Sequence, residues 1–452
     1  MSKFQVGYAS VNINPPLGIR VAGYFIERNA KGFLDDLEVG ALVIKMGRKK
    51  IAMVSVDHCG IAGPIMEEYY KVIKARTAFK RENVFIACTH THTGADIKGS
   101  IGATDPNFDQ VRYAKFLGER IADAINLAEC DLKDAKMGYI VGYAPERVAY
   151  IRRYKMKDGS TMTCPPVDDP NISHPLGTLD QRVNVVRFDR VGGETVVLVN
   201  YGLHADTVNG ELISSDWPGW MRRTLDKALD GVKTIFFNGA EGDVGSTNVH
   251  PKDGDMNDTE ISFDNEMKSP GMARFVGRAI AGTVLQVYDK VKYVDVDDIA
   301  IIRKDIEIAA NVPAKEDLPR AHEYRDLHLA GRDDLIPYTA MELTTVVAEA
   351  LRMCRLENGP ESFTLTLTGV KLGDIAFVGI PGEPFTDIGV GIKDTEGWGL
   401  ILPCALVNGS RGYFPMQSAY DDGGYEVRSS NYKAGVAETI IARGKELLSE
   451  LK

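Results

Sequence analysis

No stretch of the 452-residue chain offers the roughly 18 consecutive apolar residues that a membrane-spanning helix needs, which excludes a helical membrane protein. Cysteines number six (Cys59, Cys88, Cys130, Cys164, Cys354 and Cys404), with no Cys-x-x-Cys pair and no closely spaced framework. They are expected to be reduced thiols, mostly core filler. Positive charge is in deficit: the net charge is −10 and the basic runs "MGRKK" and "RRYK" are short. Nucleic-acid binding needs a concentrated basic face, so a nucleic-acid partner is excluded. The charged start and apolar core of a signal peptide are also missing, because "MSKFQVGYASVNINPP" goes straight into alternating apolar and polar residues. The expectation is a cytoplasmic protein as written, or a secreted one if a leader has been removed.

What is present is a soluble globular composition, 44% hydrophobic and 26% charged. Strand-like apolar runs recur: "LEVGALVIKMG", "KIAMVSVD", "NVFIACTH", "KMGYIVGYA", "ETVVLVNYG", "KTIFFNG", "FTLTLTGVKLGDIAFVGIPG" and "GLILPCALVN". Helical patterns lie between several of them, among them "PIMEEYYKVIKARTAF", "DQVRYAKFLGERIADAINLAE", "WPGWMRRTLDKALDG" and the C-terminal "YKAGVAETIIARGKELLSEL". This mixture predicts an α/β (α+β) fold with a mixed-sheet core and helices packed outside. Without repeats or low-complexity linkers, residues 1–452 read as one large domain. Two turn-rich segments, residues 158–181 and 252–270, are long enough to be either functional or disordered.

Several polar clusters share one position, the carboxyl end of a strand-like run. "VFIACTHTHTG" ends in His90 and His92, "VVLVNYGLHAD" in His204, "TIFFNGAEGD" in Glu241 and Asp243, "IAFVGIPGEPF" in Glu383 and "IAMVSVDH" in Asp57 and His58. Catalytic groups gather at such ends because the sheet holds the loops rigidly while the loops supply side chains. In an extended segment residues 90 and 92 share a face, so both imidazoles could aim at one centre, and imidazole with carboxylate suits zinc. A hydrogen-bonded loop or a satisfied histidine pair in the core accounts for Thr-His-Thr-His equally well. Taken alone, His204 fits a satisfied core histidine better, and Glu383 fits a carboxylate at a helix N-terminus. Their common location at strand ends points both toward a site. Asp57 either holds a ligand histidine from behind or has a structural role.

In order along roughly residues 5 to 435, "VGYASVNINPPLGIRVAGY", "THTHTG", "GLHADTVNGELISSDWPGW", "GAEGDVGSTN", "PGEPFTDIG" and "NGSRGYFPMQSAYDDGGYE" resemble blocks of the neutral/alkaline (non-lysosomal) ceramidase catalytic domain. The resemblance implies zinc ligands at His90, His204, Glu383 and Tyr413. It puts His92 beside the scissile amide, the active-site arginine at Arg152 with Arg153 as the alternative, and Tyr425 along the substrate. By residue type alone Tyr425 is as readily a packed aromatic. The family's serine in "GDVSPN" meets Gly245 without a gap, or Ser246 with one residue inserted, and Ser246 is therefore the catalytic candidate of least secure alignment. Leu34 stands where the family commonly carries a histidine. No separate C-terminal β-rich domain is expected.

The implied function is zinc-dependent hydrolysis of an N-acyl amide bond, in ceramide or a related N-acyl compound, by zinc-activated water. Zinc lowers the pKa of water and polarises the carbonyl. His92 and Arg152 would hydrogen-bond the substrate and the developing oxyanion. The resemblance thus implies an amidase of the neutral ceramidase type, acting in lipid metabolism on a small-molecule N-acyl substrate. The alternatives are a hydrolase of a small soluble amide or ester, and a non-catalytic binding protein that retains the metal. The departures at Leu34 and Gly245 favour smaller, more soluble N-acyl compounds over ceramide in membranes.

Overall fold

A computed structural model describes residues 3–105 and 108–452. The apolar runs form β2 (Glu38–Met46), β3 (Lys49–Val56), β4 (Val84–Cys88), β5 (Lys133–Tyr143), β7 (Thr195–Tyr201) and β8 (Val232–Asn238), joined by β1 (Phe4–Asn12) and β6 (Arg182–Arg190). These lie in one mixed sheet ordered β8-β7-β6-β5-β1-β2-β3-β4, with a short ninth strand, Lys292–Val294, on β5. A second sheet contains β9 (Ile299–Ala309), β10 (Ser362–Leu372), β11 (Ile375–Gly379) and β12 (Leu400–Cys404) in that order.

The runs are apolar throughout, not alternating, because both faces of the large sheet are buried. On β2, Leu42 and Ile44 pack against the second sheet, while Ala41 and Val43 pack under α1 (Gly63–Arg76) and α2 (Asp109–Cys130). On β7, Val196 and Leu198 face the second sheet, and Val197 and Val199 meet α3 (Asp216–Ala228) and α4 (Pro270–Val287). Burying each such side chain stabilises by roughly 1.5–3 kcal/mol. Away from the large sheet run α5 (Leu318–Leu329) and α6 (Ala340–Leu356). The outer face of the second sheet is covered by α7 (Thr386–Lys393) and α8 (Val436–Leu451) through Ile388, Ile392, Ile440 and Leu447. The result is a mixed α/β domain of four layers, two stacked sheets between helices, as the pattern of runs predicts. Segments 158–181 and 252–270 are ordered: the first adds Thr161–Thr163 and Ile172–Pro175 to Arg153–Met156, and the second forms a Glu260–Ile261/Met267–Lys268 ladder. All six cysteines are free, and Cys88 and Cys404 lie in the core.

Within the two larger sheets, three pairs of neighbouring strands run parallel: β3–β4, β7–β8 and β11–β12. Each pair is joined through one helix, α1, α3 and α7 respectively. A β-α-β unit brings the carboxyl ends of both its strands to one edge. The three edges meet, since Ala405 N–H donates to the Asn238 carbonyl at 3.0 Å, Asn408 N–H to the Ile86 carbonyl at 2.7 Å and Thr89 N–H to the Val56 carbonyl at 2.9 Å.

Asp57, at the end of β3, accepts from Arg222 of α3 at 2.9 and 2.6 Å, from Thr89 at 3.2 Å and from Glu38 N–H at 2.9 Å. It ties a strand end to a helix and holds no imidazole. Asp57→Asn would leave the buried Arg222 charge half-paired. The expected loss, read from denaturant unfolding, is about 3–5 kcal/mol, with metal bound per folded chain unchanged.

Candidate metal centre

Strand β4 stops at Cys88, and the chain then turns: His90 has φ of +73°, a left-handed conformation uncommon in residues that carry a side chain. His90 N–H donates to the His58 carbonyl at 3.0 Å and His92 N–H to the Ala205 carbonyl at 3.0 Å. The two imidazoles converge, with ring centroids 4.8 Å apart and planes at 89°. They do so through this kink, which corrects the expectation that extended period-two geometry aligns them.

His204, beyond β7, has Nδ1 2.8 Å from the Glu241 carbonyl and 3.1 Å from that of Val244. His90 Nδ1 is 2.6 Å from the Cys59 carbonyl. A carbonyl oxygen only accepts, so both Nδ1 atoms carry hydrogen and both Nε2 atoms present lone pairs. Those lone pairs meet Glu383, whose Oε2 lies 3.3 Å from His90 Nε2 and 3.4 Å from His204 Nε2. This oxygen is buried and has no hydrogen bond among the described residues. The loop after β11 delivers it, with Glu383–Pro384 pairing in parallel with Tyr413–Phe414. A side chain at Gly242 would strike the Glu383 carbonyl at 2.6 Å, so glycine lets the β8 and β11 loops close on each other.

Tetrahedral zinc with bonds of 2.0–2.1 Å separates its ligand atoms by about 3.3–3.4 Å. The His90–Glu383 and His204–Glu383 separations match at 3.3 and 3.4 Å, and the Tyr413 hydroxyl stands 3.5 Å from His204 Nε2. The electrostatics fit as well. Burial pushes His204 down to about 3, and the Arg152 charge adds to it. Burial would likewise lower His90 and raise Glu383, yet their mutual attraction holds His90 well above the imidazole range and Glu383 well below the carboxylate range. That attraction marks the space between them as one where positive charge is stabilised. Glu241, fully buried with neither oxygen hydrogen-bonded among the described residues, is driven well above its ordinary range by burial, with the His90 charge partly offsetting.

Arg152 Nη2 donates to the Tyr413 hydroxyl at 3.0 Å and to the Gly242 carbonyl at 3.0 Å, while its Nε pairs with Glu426 at 2.7 Å. Burial works against its charge, and Tyr413 with Glu426 outweighs burial. Arg153 instead turns away, donating to the Gly423 carbonyl at 2.7 Å. Tyr425 packs edge-on against Tyr413, centroids 5.6 Å apart. Ser246 lies elsewhere. A Cβ on Gly245 would sit 3.7 Å from Arg152 Cβ and 3.5 Å from Glu266 Oε1. Just past the Val244–Gly245 strand, Ser246 lines a cavity of about 830 Å³ with Arg147, Tyr150, Asn248 and Phe275, and none of His90, His204, Glu383 or Tyr413 lines that cavity.

Residue patterns did not single out Asp206, Tyr24, Lys268 or Cys59. Asp206 stands 3.4 Å from His92 Nδ1, and Cys59 Sγ 3.9 Å from His90 Nδ1. The signal for Asp206 is its place two residues after His204 in "LHAD". Lys268 offers no local signal, being carried in by the long loop before α4.

His90 belongs to a group with His204 and Glu383 that could hold a metal, and also to one with Cys59 and His92, whose Nε2 is 3.3 Å from His90 Nε2. By emission spectroscopy, His90→Ala should lose the metal, and His92→Ala should keep about one per chain while losing turnover. Equal metal content in the two variants would contradict the assignment.

No protein-family model matches the chain. Among solved structures, it is similar to the neutral ceramidase from Pseudomonas aeruginosa at 15% identity and a TM-score of 0.70, with 100% of this chain and 75% of that chain covered. It is also similar to a ceramidase complexed with C2, at 15% identity and a TM-score of 0.72, with 100% and 76% covered. At such identity the likeness establishes fold: the chain shares the fold of these ceramidases along its whole length.

Proposed function

We propose that this protein is a zinc-dependent hydrolase of linear N-acyl amides. The reading is carried by one observation, the buried triangle of His90 Nε2, His204 Nε2 and Glu383 Oε2 with edges of 3.3 and 3.4 Å at the carboxylate, each imidazole fixed from behind by a backbone carbonyl. Zinc bound there would polarise a carbonyl as a Lewis acid and supply hydroxide at neutral pH. Tyr413 completes an N2O2 donor set, and its hydroxyl is oriented by Arg152. Arg152, fixed by Glu426 and the Gly242 carbonyl, is placed to stabilise negative charge on the substrate oxygen, a preorganised interaction of about 3–4 kcal/mol. The ceramidase names of the similar structures support an amide between a fatty acyl group and an amine.

His90, His92, His204, Glu383, Tyr413 and Arg152 are each no more than 9% exposed, so the scissile bond has to reach them on a slim, linear chain. Outside them, Tyr24 lies 5.6 Å from the His92 ring and 5.2 Å from the ring of Phe263, itself 41% exposed. The exposed Phe263 ring offers an apolar surface on this side against which an acyl chain could rest. A long-chain lipid has to leave its aggregate completely to reach such a centre, forfeiting about 0.8 kcal/mol per CH2 until the pocket replaces those contacts.

The expected result with zinc-loaded protein is hydrolysis of N-acyl compounds, abolished by chelation, with kcat/KM higher for soluble short-chain substrates than for long-chain ceramide in micelles. One zinc per chain with no turnover across the panel would instead support a binding protein. Ser246→Ala should retain most activity with no burst of acyl-enzyme, since Ser246 faces the separate cavity. Complete loss in a folded, metal-loaded variant would restore a serine mechanism.

A further inference from the structure

Behind His92 lies a buried charge network that the hydrolase reading leaves unused. His92 Nδ1 is 3.4 Å from Asp206 Oδ2 and has no hydrogen bond among the described residues. Asp206 also accepts a short hydrogen bond from the Tyr24 hydroxyl and one of 2.8 Å from Lys268 Nζ. The Lys268 ammonium, with a fully buried side chain, is 2.7 Å from Asp264, 2.8 Å from Glu266 and 2.7 Å from the Tyr24 hydroxyl. Asp206, Asp264 and Glu266 could by spacing hold a metal, but Lys268 fills the place between them. The ammonium is itself held, because the next residue, Ser269, caps α4 by accepting from Met272 N–H at 2.9 Å.

The His92 ring is wedged from other sides too. A Cβ on Gly23, whose φ is +107°, would lie 2.7 Å from His92 Cβ and Cγ. Arg28 donates to the His92 carbonyl at 2.8 Å and stacks 4.0 Å above the Tyr24 ring. On its far edge, His92 Nε2 is 3.3 Å from His90 Nε2. The ring therefore spans from a carboxylate to the metal centre with little freedom to flip.

We propose that Asp206, held by Tyr24 and Lys268, is a positioning residue that fixes His92 in the Nδ1–H tautomer, so that His92 presents a hydrogen-bond acceptor at Nε2. A carboxylate only accepts, so a hydrogen on Nδ1 would be drawn to Asp206 Oδ2 at 3.4 Å, leaving the lone pair on the edge that faces the centre. The division of labour follows. Arg152, which only donates, serves the oxyanion, and His92 receives a hydrogen from water or from the substrate N–H. This divides between the two residues the expected hydrogen bonds to the substrate and to the developing oxyanion. The chemical consequence rests on the hydrolase reading, whereas the tautomer can be read without turnover.

The test uses zinc-loaded protein with 15N-labelled histidine, the His92 signals being assigned by their loss in His92→Gln. Long-range proton–nitrogen correlations should show His92 protonated at Nδ1 and bare at Nε2. Asp206→Asn should shift it toward Nε2–H, keep about one zinc per chain and lower kcat roughly 10²–10⁴-fold with KM changed less than about threefold. Tyr24→Phe, a milder change, should keep the tautomer with a smaller loss of kcat. An Nε2–H tautomer in the unmodified protein, or an unchanged tautomer in Asp206→Asn, overturns the inference. The expected tautomers without turnover on any N-acyl substrate would leave the positioning role standing and sink the hydrolase reading instead.

Discussion

Three acceptor atoms, His90 Nε2, His204 Nε2 and Glu383 Oε2, are held within 3.4 Å of one another along the carboxylate edges in a place water barely reaches. Lone pairs so arranged repel unless a proton or a cation lies between them, and burial removes the solvent that would otherwise screen them. Backbone carbonyls of Cys59, Glu241 and Val244 forbid the escape in which an imidazole turns its N–H inward. Much of the architecture exists to impose this crowding. Three parallel strand pairs aim their carboxyl ends at one point, His90 adopts a left-handed turn, and Gly242 lets the Glu383 loop close.

Around that centre charge is compensated locally and not by solvent. Arg152 is matched by Glu426, Arg222 by Asp57, and Lys268 by three carboxylates. Buried pairs of this kind are weak contributors to net stability but strongly destabilising when one partner is removed, so they fix position more than they add to folding energy. Glu241 stands outside this pattern. Its carboxyl has no hydrogen bond among the described residues, and the nearest groups that offset its charge are His90 and Arg152. A divalent cation beside His90 would supply what its surroundings lack, which again marks this corner as built around positive charge.

Much of this was legible in the sequence because it depends on burial of both sheet faces. Runs such as "ETVVLVNYG" and "KTIFFNG" became β7 and β8 nearly residue for residue, and the polar residues just past their ends became the site. Strand β6, "RVNVVRFDR", was not read, because charged residues that reach its edges break the apolar run. Helix α5 was missed as well: its one buried residue is Ala321, so it carries no apolar stripe. At the site, the resemblance supplied Tyr413, which nothing in its own surroundings distinguishes from other tyrosines. The ladder that aligns Tyr413 with Glu383 is only two residues long, too short to leave a pattern. The convergence of His90 and His92 was expected for the wrong geometric reason, since a single positive φ, invisible to period-two counting, produces it.

The likeness to ceramidases and the hydrogen positions at the centre bear on different things. At 15% identity the first concerns the path of the backbone, whereas the second concerns which atoms carry hydrogens. The Nδ1 atom of each histidine at the centre faces a group that only accepts. His90 and His204 face carbonyls with Nδ1, His92 faces a carboxylate with Nδ1, and Arg152 has no acceptor capacity at all. From these constraints follow two inward lone pairs for a metal, a third for a mobile hydrogen, and one fixed cation for developing negative charge. The proposed metal-assisted hydrolysis of an amide would use all four, since carbonyl, attacking water and leaving nitrogen each need a complementary group. A protein that merely stored a metal would have no use for the third lone pair, which is why the Asp206 contact to His92 bears on function more directly than the ligand set does.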